Sequence, residues 1–184
     1  MGMTHKSVAS PDKKLRVVVM GAYELARYQG RGVTDVLSVC MLPHANVGAE
    51  WAKKNGARHE HVAMMDVTDT SVWLAPAEHQ VRDIVAWGRD VRARGGKAII
   101  HCAAGISRST AAAITVLADA FGKGREADVV AKVFAARPVA FPNALLIRHA
   151  DDVLKRRGYL EHAVRRRKMQ VPTHDEMLCF ALEE

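Results

Sequence analysis

The stretch "AIIHCAAGISRSTAAA", residues 98–113, joins an apolar run to a His-Cys pair, a loop of small residues, an Arg and an alanine-rich segment. The run "KAII", 97–100, predicts a buried strand. The segment from about Ser107 to Phe121, which stops at "GKG", predicts a helix. A strand that passes through a short loop directly into a helix is the basic unit of an α/β fold.

The loop has the composition of an anion site. Five residues, Ala103 to Ser107, separate Cys102 from Arg108. Between a strand end and a helix start, successive backbone N–H groups can turn toward one point, and the helix dipole adds positive potential there. The small residues Ala103, Ala104 and Gly105 let an oxyanion approach the backbone, and Gly105 can adopt a positive φ. Because the Arg108 guanidinium offers a planar fork to two oxygens, the loop predicts a phosphate site.

The same field acts on the thiol of Cys102. A free cysteine has a pKa of about 8.5, and a helix N-terminus beside a cation lowers it to about 3.5–7.5. We therefore expect Cys102 to be a thiolate at neutral pH and a nucleophile beneath the bound phosphorus. His101 is expected to orient the loop and to support the low pKa. Ser109 is expected to donate a hydrogen bond to the sulfur when it becomes the leaving group.

The rest of the chain alternates strands with helices and then continues with helices. Short β-branched runs predict strands at 15–20 and 36–40, with a weaker candidate at 58–65. Helical spacing of apolar residues, with Pro, Gly and Asn at the ends, predicts helices at 76–94, 125–136 and 143–157. This order predicts an α/β fold with a mainly parallel central sheet flanked by helices.

Length and composition indicate one globular domain. The 184 residues are 49% hydrophobic and 26% charged, which is enough for a buried core. We expect an N-terminal extension over 1–14, a domain over 15–158 and a basic tail over 159–184. Three widely spaced cysteines argue against a disulfide framework, and the sequence has neither a signal-peptide core nor a membrane-spanning stretch. These features favour the cytoplasm.

The formal charge of +7 is concentrated in one segment. Residues 155–168, "KRRGYLEHAVRRRK", carry seven Lys or Arg and one Glu, so the remaining positions sum to only +1. A solvated helix end and tail is the favoured interpretation, and a docking patch for acidic partners, nucleic acid or anionic lipid is the alternative. Because the domain itself is almost neutral, we expect neither nucleic acid nor a membrane as its partner.

The stretch "HCAAGISRST", 101–110, resembles the H-C-x5-R-[ST] signature of the cysteine-dependent protein tyrosine phosphatase superfamily. Its G-x-S-R-S form is most similar to the dual-specificity branch and its small bacterial relatives. The similarity covers most of 15–157, including "RPVAFPN" at 137–143. The resemblance implies a phosphatase fold with a strand–P-loop–helix active site. It also implies hydrolysis of phosphomonoesters through a phosphocysteine, without metal or cofactor, with phosphorylated proteins as substrates and inorganic phosphate as product.

Such a reaction needs a general acid, because the departing oxygen must be protonated. The resemblance implies an Asp on a mobile loop upstream of the nucleophile. Asp69 and Asp66 lie 33 and 36 positions before Cys102. Because "TDTS", 68–71, is similar to the dual-specificity pattern for this loop, we favour Asp69 and interpret Asp66 as a turn residue whose side chain binds local backbone.

Three further features have two interpretations each. Asn143 suits a helix N-cap, and the resemblance adds a hydrogen bond to the nucleophile loop. Cys40 suits a buried strand end, and the resemblance offers a redox disulfide with Cys102 as the less favoured alternative. The alternating histidines of "HEH", 59–61, favour a solvated strand face over a metal site, because two ligands are too few.

The loop residues also bear on the substrate. Ala103, Ala104, Ile106 and Ser107 carry no charge, whereas phosphoinositide-directed members of the superfamily tend to have basic residues there. No motif resembles the loop that walls a deep phosphotyrosine slot. We therefore expect a shallow pocket for phosphotyrosine that also takes phosphoserine or phosphothreonine. The alternatives are a phosphatase for a small-molecule phosphate and a phosphoprotein-binding module with low activity.

Overall fold

The computed structural model describes residues 5–29 and 32–170. Within these residues a sheet contains the strands β1 (Ser7–Ala9), β2 (Arg16–Gly21), β3 (Asp35–Val39), β4 (Arg58–Val62) and β5 (Lys97–Cys102). The helices are α1 (Ala22–Arg27), α2 (His44–Asn55), α3 (Glu78–Ala93), α4 (Arg108–Phe121), α5 (Glu126–Ala136), α6 (Ala144–Val153) and α7 (Tyr159–Lys168). None of these helices combines the length and the apolar character that crossing a membrane requires.

The strand order in the sheet is β1-β2-β5-β3-β4. β2, β5, β3 and β4 run parallel, and the three-residue β1 pairs antiparallel with β2 at one edge. The predicted α/β fold with a mainly parallel sheet is confirmed. Because β5 is the central strand, its last residue, Cys102, emerges in the middle of the sheet, beside Gly21 at the end of β2.

Helices cover both faces of the sheet, because alternate strand residues point to opposite sides. Val17 and Val19 belong to the larger apolar core, which the sheet shares with α3 to α7. Val18 and Met20 belong to a smaller core with Leu25 of α1 and residues of α2. The loop after Cys102 is therefore held at the carboxyl edge of a rigid sheet.

Four elements were not predicted from the sequence: β1, α1, α2 and α7. Three of the four buried residues of α2, Ala45, Gly48 and Ala52, are small, and only Trp51 is a large apolar residue. α7 lies in the segment predicted as a basic tail. Its Leu160 and Val164, four positions apart, are buried in the larger core, so these ten residues form a packed helix.

Candidate active site

The loop from Cys102 to Arg108, hereafter the phosphate loop, joins the end of β5 to the start of α4. Cys102 is only 1% exposed. Its Sγ accepts a hydrogen bond from the Gly105 N–H at 3.2 Å and lies 3.2 Å from the Ser109 Oγ. A backbone N–H and a hydroxyl at this distance stabilise a negative charge on sulfur. The structure thus brings Cys102 and Ser109 together, as the sequence predicts.

The carbonyl groups of the phosphate loop are turned away from its centre. Donors that lie behind the loop occupy the carbonyl oxygens of residues 103–107: backbone N–H groups of Ala22 and Phe141, the Arg137 guanidinium and the Thr110 hydroxyl. In a trans peptide the C=O and the following N–H point in opposite directions. The N–H groups of the loop are therefore directed inward, which is the arrangement that binds an anion.

Gly105 has no room for a side chain. It has a φ of +73°, and a Cβ at this position would collide with the backbone of Met20 and Gly21. Gly21 has the matching constraint, because a Cβ there would lie 2.9 Å from the backbone of Ala104. Close approach of the β2 end to the phosphate loop thus requires both glycines.

Arg137 supports the phosphate loop from behind. Its Nε donates to the Gly105 carbonyl at 2.9 Å, and its Nη2 donates to the Ala104 carbonyl at 3.2 Å. Its Nη1 pairs with Glu24 Oε1 at 2.8 Å, and Glu24 Oε2 accepts from the Gly21 N–H at 2.6 Å. Burial opposes ionisation of Glu24, but these hydrogen bonds hold its pKa below the usual value. The sequence analysis named the segment 137–143 as part of the family resemblance. It did not predict the ion pair of Arg137 with Glu24, because the two residues are distant in the chain.

Arg108 lies at the opposite end of the loop, with its side chain 11% exposed. Its Nη1 donates to the Met64 carbonyl at 2.9 Å. Its Nε is 3.5 Å from Asp66 Oδ2, and among the described residues it has no hydrogen-bond acceptor. A guanidinium held by one nitrogen keeps further donors for the oxygens of an anion.

Asp66 is the carboxylate that the structure brings to the phosphate loop. Its Oδ1 accepts hydrogen bonds from Ser107 Oγ at 2.6 Å and from Asn143 Nδ2 at 2.9 Å. The sequence analysis interpreted Asp66 as a turn residue, and the structure corrects this interpretation, because its partners come from the loop and from the start of α6. The side chain is 36% exposed and therefore accessible from solvent.

Asp69, which the sequence analysis favoured as the general acid, makes its hydrogen bonds with Ser71. Its Oδ1 accepts from the backbone N–H of Ser71 at 2.9 Å and from the Ser71 hydroxyl at 2.7 Å, so it closes its own turn. These two bonds lower the pKa of Asp69. Asp66 is therefore the carboxylate that contacts the phosphate loop in this structure, and the assignment of the general acid to Asp69 stays a prediction.

Asn143 caps α6 and also donates a hydrogen bond to the phosphate loop, but it does so with its backbone and not with its side chain. Its Oδ1 accepts from the Leu146 N–H at 3.0 Å, as an N-cap does. Its backbone N–H donates to the Ser107 carbonyl at 3.4 Å, whereas its side-chain amide donates to Asp66 and to the Val67 carbonyl. The side chain thus holds the loop that carries Asp66 rather than the phosphate loop.

His101 is fully buried and lies in a chain of hydrogen bonds. Its Nε2 is 2.6 Å from Ser38 Oγ, which lies 2.8 Å from His59 Nε2. Burial lowers the pKa of His101 to about 4. It is therefore neutral at physiological pH and can orient the loop by hydrogen bonding, but it offers no charge to Cys102. The expected solvated face of "HEH" is found at His61, which is exposed, whereas His59 is half-buried and contacts Ser38.

Cys40 and Cys102 share a small buried cluster with Ala45. Burial raises the pKa of Cys40 to about 11, so its sulfur is a thiol at neutral pH. Both cysteines are free in the structure. Cys40 therefore has the character of a packed apolar residue, and the redox alternative stays a prediction.

Apolar and basic side chains form the rim of the site. Ile106 is 38% exposed, and its carbonyl accepts from the N–H of Phe141, which is 61% exposed. Lys168, at the end of α7, lies 3.7 Å from the centre of the Phe141 ring and donates to the Pro142 carbonyl at 2.7 Å. Burial lowers the pKa of Lys168. The sequence analysis placed this lysine in a tail and did not associate it with the site.

Sequence comparison finds relatives over part of the chain. Over 79 residues, the chain is 34% identical to dual specificity protein phosphatase 15 from Rattus norvegicus, and equally so to its counterpart from Mus musculus. This match covers 43% of the chain and 32% of each relative, so the chain spans about a third of the length of the curated relatives it matches. No protein-family model matches the chain.

Comparison of the fold extends the match to most of the domain. The active form of Tk-PTP superposes with a TM-score of 0.58 at 22% identity, covering 77% of this chain and 92% of that one. PTPMT1 in complex with PI(5)P superposes with a TM-score of 0.59 at 17% identity, and the match covers 78% of this chain and 92% of that one. The human tyrosine phosphatase-like serine/threonine/tyrosine-interacting protein superposes with a TM-score of 0.55 at 20% identity. This match covers 74% of this chain and 89% of that one.

The chain thus shares its fold with Tk-PTP, PTPMT1 and a tyrosine phosphatase-like protein. The relatives found by sequence are dual specificity protein phosphatases. The predicted resemblance to the cysteine-dependent protein tyrosine phosphatase superfamily is confirmed.

Proposed function

We propose that this protein hydrolyses phosphomonoesters through a phosphocysteine intermediate on Cys102. The observation that carries the proposal is the convergence of Cys102, Arg108 and Asp66 on one phosphate loop whose N–H groups face inward. The similarity to dual specificity protein phosphatases supports the same reaction.

In the first step, the Cys102 thiolate attacks the phosphorus, so that an S–P bond forms as the bond from phosphorus to the ester oxygen breaks. Negative charge in the transition state is spread over the phosphoryl oxygens, and the loop N–H groups and Arg108 stabilise it. Asp66 donates its proton to the departing oxygen. Ser107 and Asn143, which both bind Asp66 Oδ1, hold this carboxyl group at the edge of the loop.

In the second step, water attacks the phosphorus of the phosphocysteine and the S–P bond breaks. Asp66 now takes the proton from the water, which restores the acid for the next cycle. The sulfur departs as a thiolate, and the Gly105 N–H and the Ser109 hydroxyl, each 3.2 Å from it, stabilise that charge. Inorganic phosphate leaves and the free enzyme returns.

The proposed substrate is a phosphotyrosyl protein, with phosphoserine and phosphothreonine also accepted. Ile106 and Phe141 present exposed apolar surface beside the loop, which suits the ring of phosphotyrosine. The loop positions Ala103 and Ala104 carry no charge that would bind an additional phosphate.

Hydrolysis of para-nitrophenyl phosphate tests the reaction. We expect activity that persists in EDTA, is abolished by Cys102→Ser and is retained by the matched variant Cys40→Ser. Mass spectrometry of acid-quenched enzyme is expected to find the phosphoryl group on the peptide that contains Cys102. Activity in Cys102→Ser, or its loss with EDTA, would refute the mechanism.

A panel of substrates tests the proposed class. We expect phosphotyrosyl peptides to be hydrolysed with a higher kcat/KM than phosphoseryl peptides, and both with a higher value than the lipid PI(5)P. A preference for PI(5)P, the ligand named with the similar fold of PTPMT1, would assign the site to phosphoinositides instead.

A further inference from the structure

We propose that a groove between α5 and α7 is a docking site for an acidic segment of a protein partner. This α5–α7 groove has a volume of about 760 Å³ and is lined from the turn before α5 to the residues after α7. Its binding function would be independent of the proposed phosphatase reaction, because it uses none of the residues of the phosphate loop.

The groove is strongly cationic. Its walls carry five Lys or Arg side chains besides a buried arginine: Lys123, Lys155, Arg157, Arg166 and Arg167. The one carboxylate in its lining is Glu126, which is 7% exposed and lies 3.5 Å from the buried Arg156. Cations on all sides of a concave surface create a potential that attracts an anionic ligand.

Arg156 supplies a second and independent observation. It is 5% exposed and lines the groove, and its Nη2 donates to the Ala118 carbonyl at 2.7 Å. Among the described residues, its Nε has no hydrogen-bond acceptor, and its Nη1 has only the ion pair with Glu126 at 3.5 Å. A buried donor without an acceptor is costly, and a carboxylate is the acceptor that a guanidinium binds best. Lys155 and Arg157, on either side, have φ values of 53° and 56°, which non-glycine residues rarely adopt.

The apolar part of the lining favours a polypeptide. It includes the short side chains of Ala127, Val130, Ala131 and Ala163. Such a lining fits an extended chain with small residues between its acidic ones. A membrane surface fits poorly, because Leu160 and Val164 of α7 are buried in the core and do not face solvent. Tyr159 is the single Phe, Tyr or Trp residue in the lining, which is little for stacking the bases of single-stranded nucleic acid.

A direct binding experiment tests the proposal. The probe is a short fluorescein-labelled peptide of alternating Glu and Ala, titrated with the full chain at low salt, and the control peptide has Gln in place of Glu. We expect the acidic peptide to bind and the control peptide not to bind. Anisotropy measures this interaction whether or not the protein is a phosphatase, so failure here and failure of the proposed reaction are separate results.

Adjacent arginines of α7 provide the matched pair of variants. Arg166 lines the groove, whereas Arg165 is exposed on the same helix outside it. We expect Arg166→Gln to weaken peptide binding by about threefold to fivefold, the usual effect of one partly solvated ion pair, and Arg165→Gln to change it little. A triple variant, Lys123→Gln with Arg157→Asn and Arg166→Gln, is expected to weaken binding at least about tenfold. Asn is chosen at 157 because it tolerates a positive φ.

Three results would overturn the proposal. One is equal weakening by Arg165→Gln and Arg166→Gln, which would indicate a diffuse charge effect. Another is loss of binding in Arg108→Met, which would place the peptide in the phosphate loop. The third is tighter binding of oligouridylate, or of phosphatidylcholine vesicles containing phosphatidylserine, with the same dependence on Arg166.

Discussion

Ser107 Oγ donates a hydrogen bond to Asp66 Oδ1 across 2.6 Å, although 41 positions separate the two residues. The phosphate loop and the loop that carries the proposed acid are therefore in direct contact. Asn143 reinforces this contact from the start of α6, since its amide donates to the same carboxylate oxygen. The position of the carboxyl group thus depends on three segments that meet only in the folded chain.

The two candidate acids can be separated by matched substitutions. We expect Asp66→Asn to lower kcat for a phosphotyrosyl peptide by about 10²–10⁴, because the departing oxygen would lose its proton donor. Asp69→Asn is expected to leave kcat nearly unchanged, because Asp69 binds only its own turn. Steady-state kinetics with both variants measure the difference, and the reverse order of effects would return the role to Asp69.

Ser109 is expected to act in the second half of the reaction. Ser109→Ala removes the hydroxyl that lies 3.2 Å from Cys102 Sγ, so breakdown of the phosphocysteine should slow by about tenfold to a hundredfold. Stopped-flow measurements with para-nitrophenyl phosphate would then show a burst of product before a slow steady state. Thr115→Val, which removes another hydroxyl of α4, is the control and is expected to give no burst. A slower burst phase in Ser109→Ala would instead assign the hydroxyl to the first step.

The pairing of Arg137 with Glu24 is expected to contribute to stability. Arg137→Met leaves the partly buried Glu24 carboxylate without its partner and frees two loop carbonyls, so the free energy of unfolding should fall by about 3 kcal/mol. The surface pair of Arg125 and Asp128 is the matched comparison, and Arg125→Met is expected to cost less than about 1 kcal/mol. Denaturant titration measures both variants. Equal losses of stability in the two variants would mean that the pair of Arg137 and Glu24, hereafter the Arg137 clamp, contributes no more than an exposed ion pair.

His101 is expected to make stability depend on pH. Its pKa is lowered from 6.5 to about 4 in the folded chain by burial, so protons bind the unfolded chain first as the pH falls. The contribution of the neutral His101 ring to the free energy of unfolding is fully present above pH 6.5. It is lost progressively as the pH falls towards 4, by up to about 3 kcal/mol. NMR titration of the His101 ring and unfolding titrations across this range provide the test. A ring that becomes protonated near pH 6.5 without loss of stability would contradict the structure.

Local sequence patterns were sufficient to predict the centre of the candidate site. β5, the phosphate loop and α4 are contiguous in the chain. The apolar run, the small residues, Cys102 and Arg108 therefore appear together in one short stretch of sequence. The helices α3, α5 and α6 were also predicted, because their apolar spacing and their end residues are local. For the same reason Asn143 could be assigned as an N-cap.

The features that were missed depend on packing between distant segments. α2 packs through Ala45, Gly48, Trp51 and Ala52, most of them small. Gly48 is required because a Cβ there would collide with the side chains of Ser38 and His101. The contacts of Asp66 with Ser107 and Asn143 join segments that are distant in the chain, so no short motif could indicate them. In α7, four basic residues in the last turn obscured the two buried apolar positions.

The Arg137 clamp makes the shape of the phosphate loop depend on the folding of distant segments. Glu24 and Arg137 are 113 positions apart, and between them they fix the β2 end and two carbonyls of the phosphate loop. The anion-binding geometry therefore forms only when the first and the later helices are both in place. Phosphate that binds the loop binds the native chain alone, so it is thermodynamically linked to global folding and protects the whole domain rather than one loop.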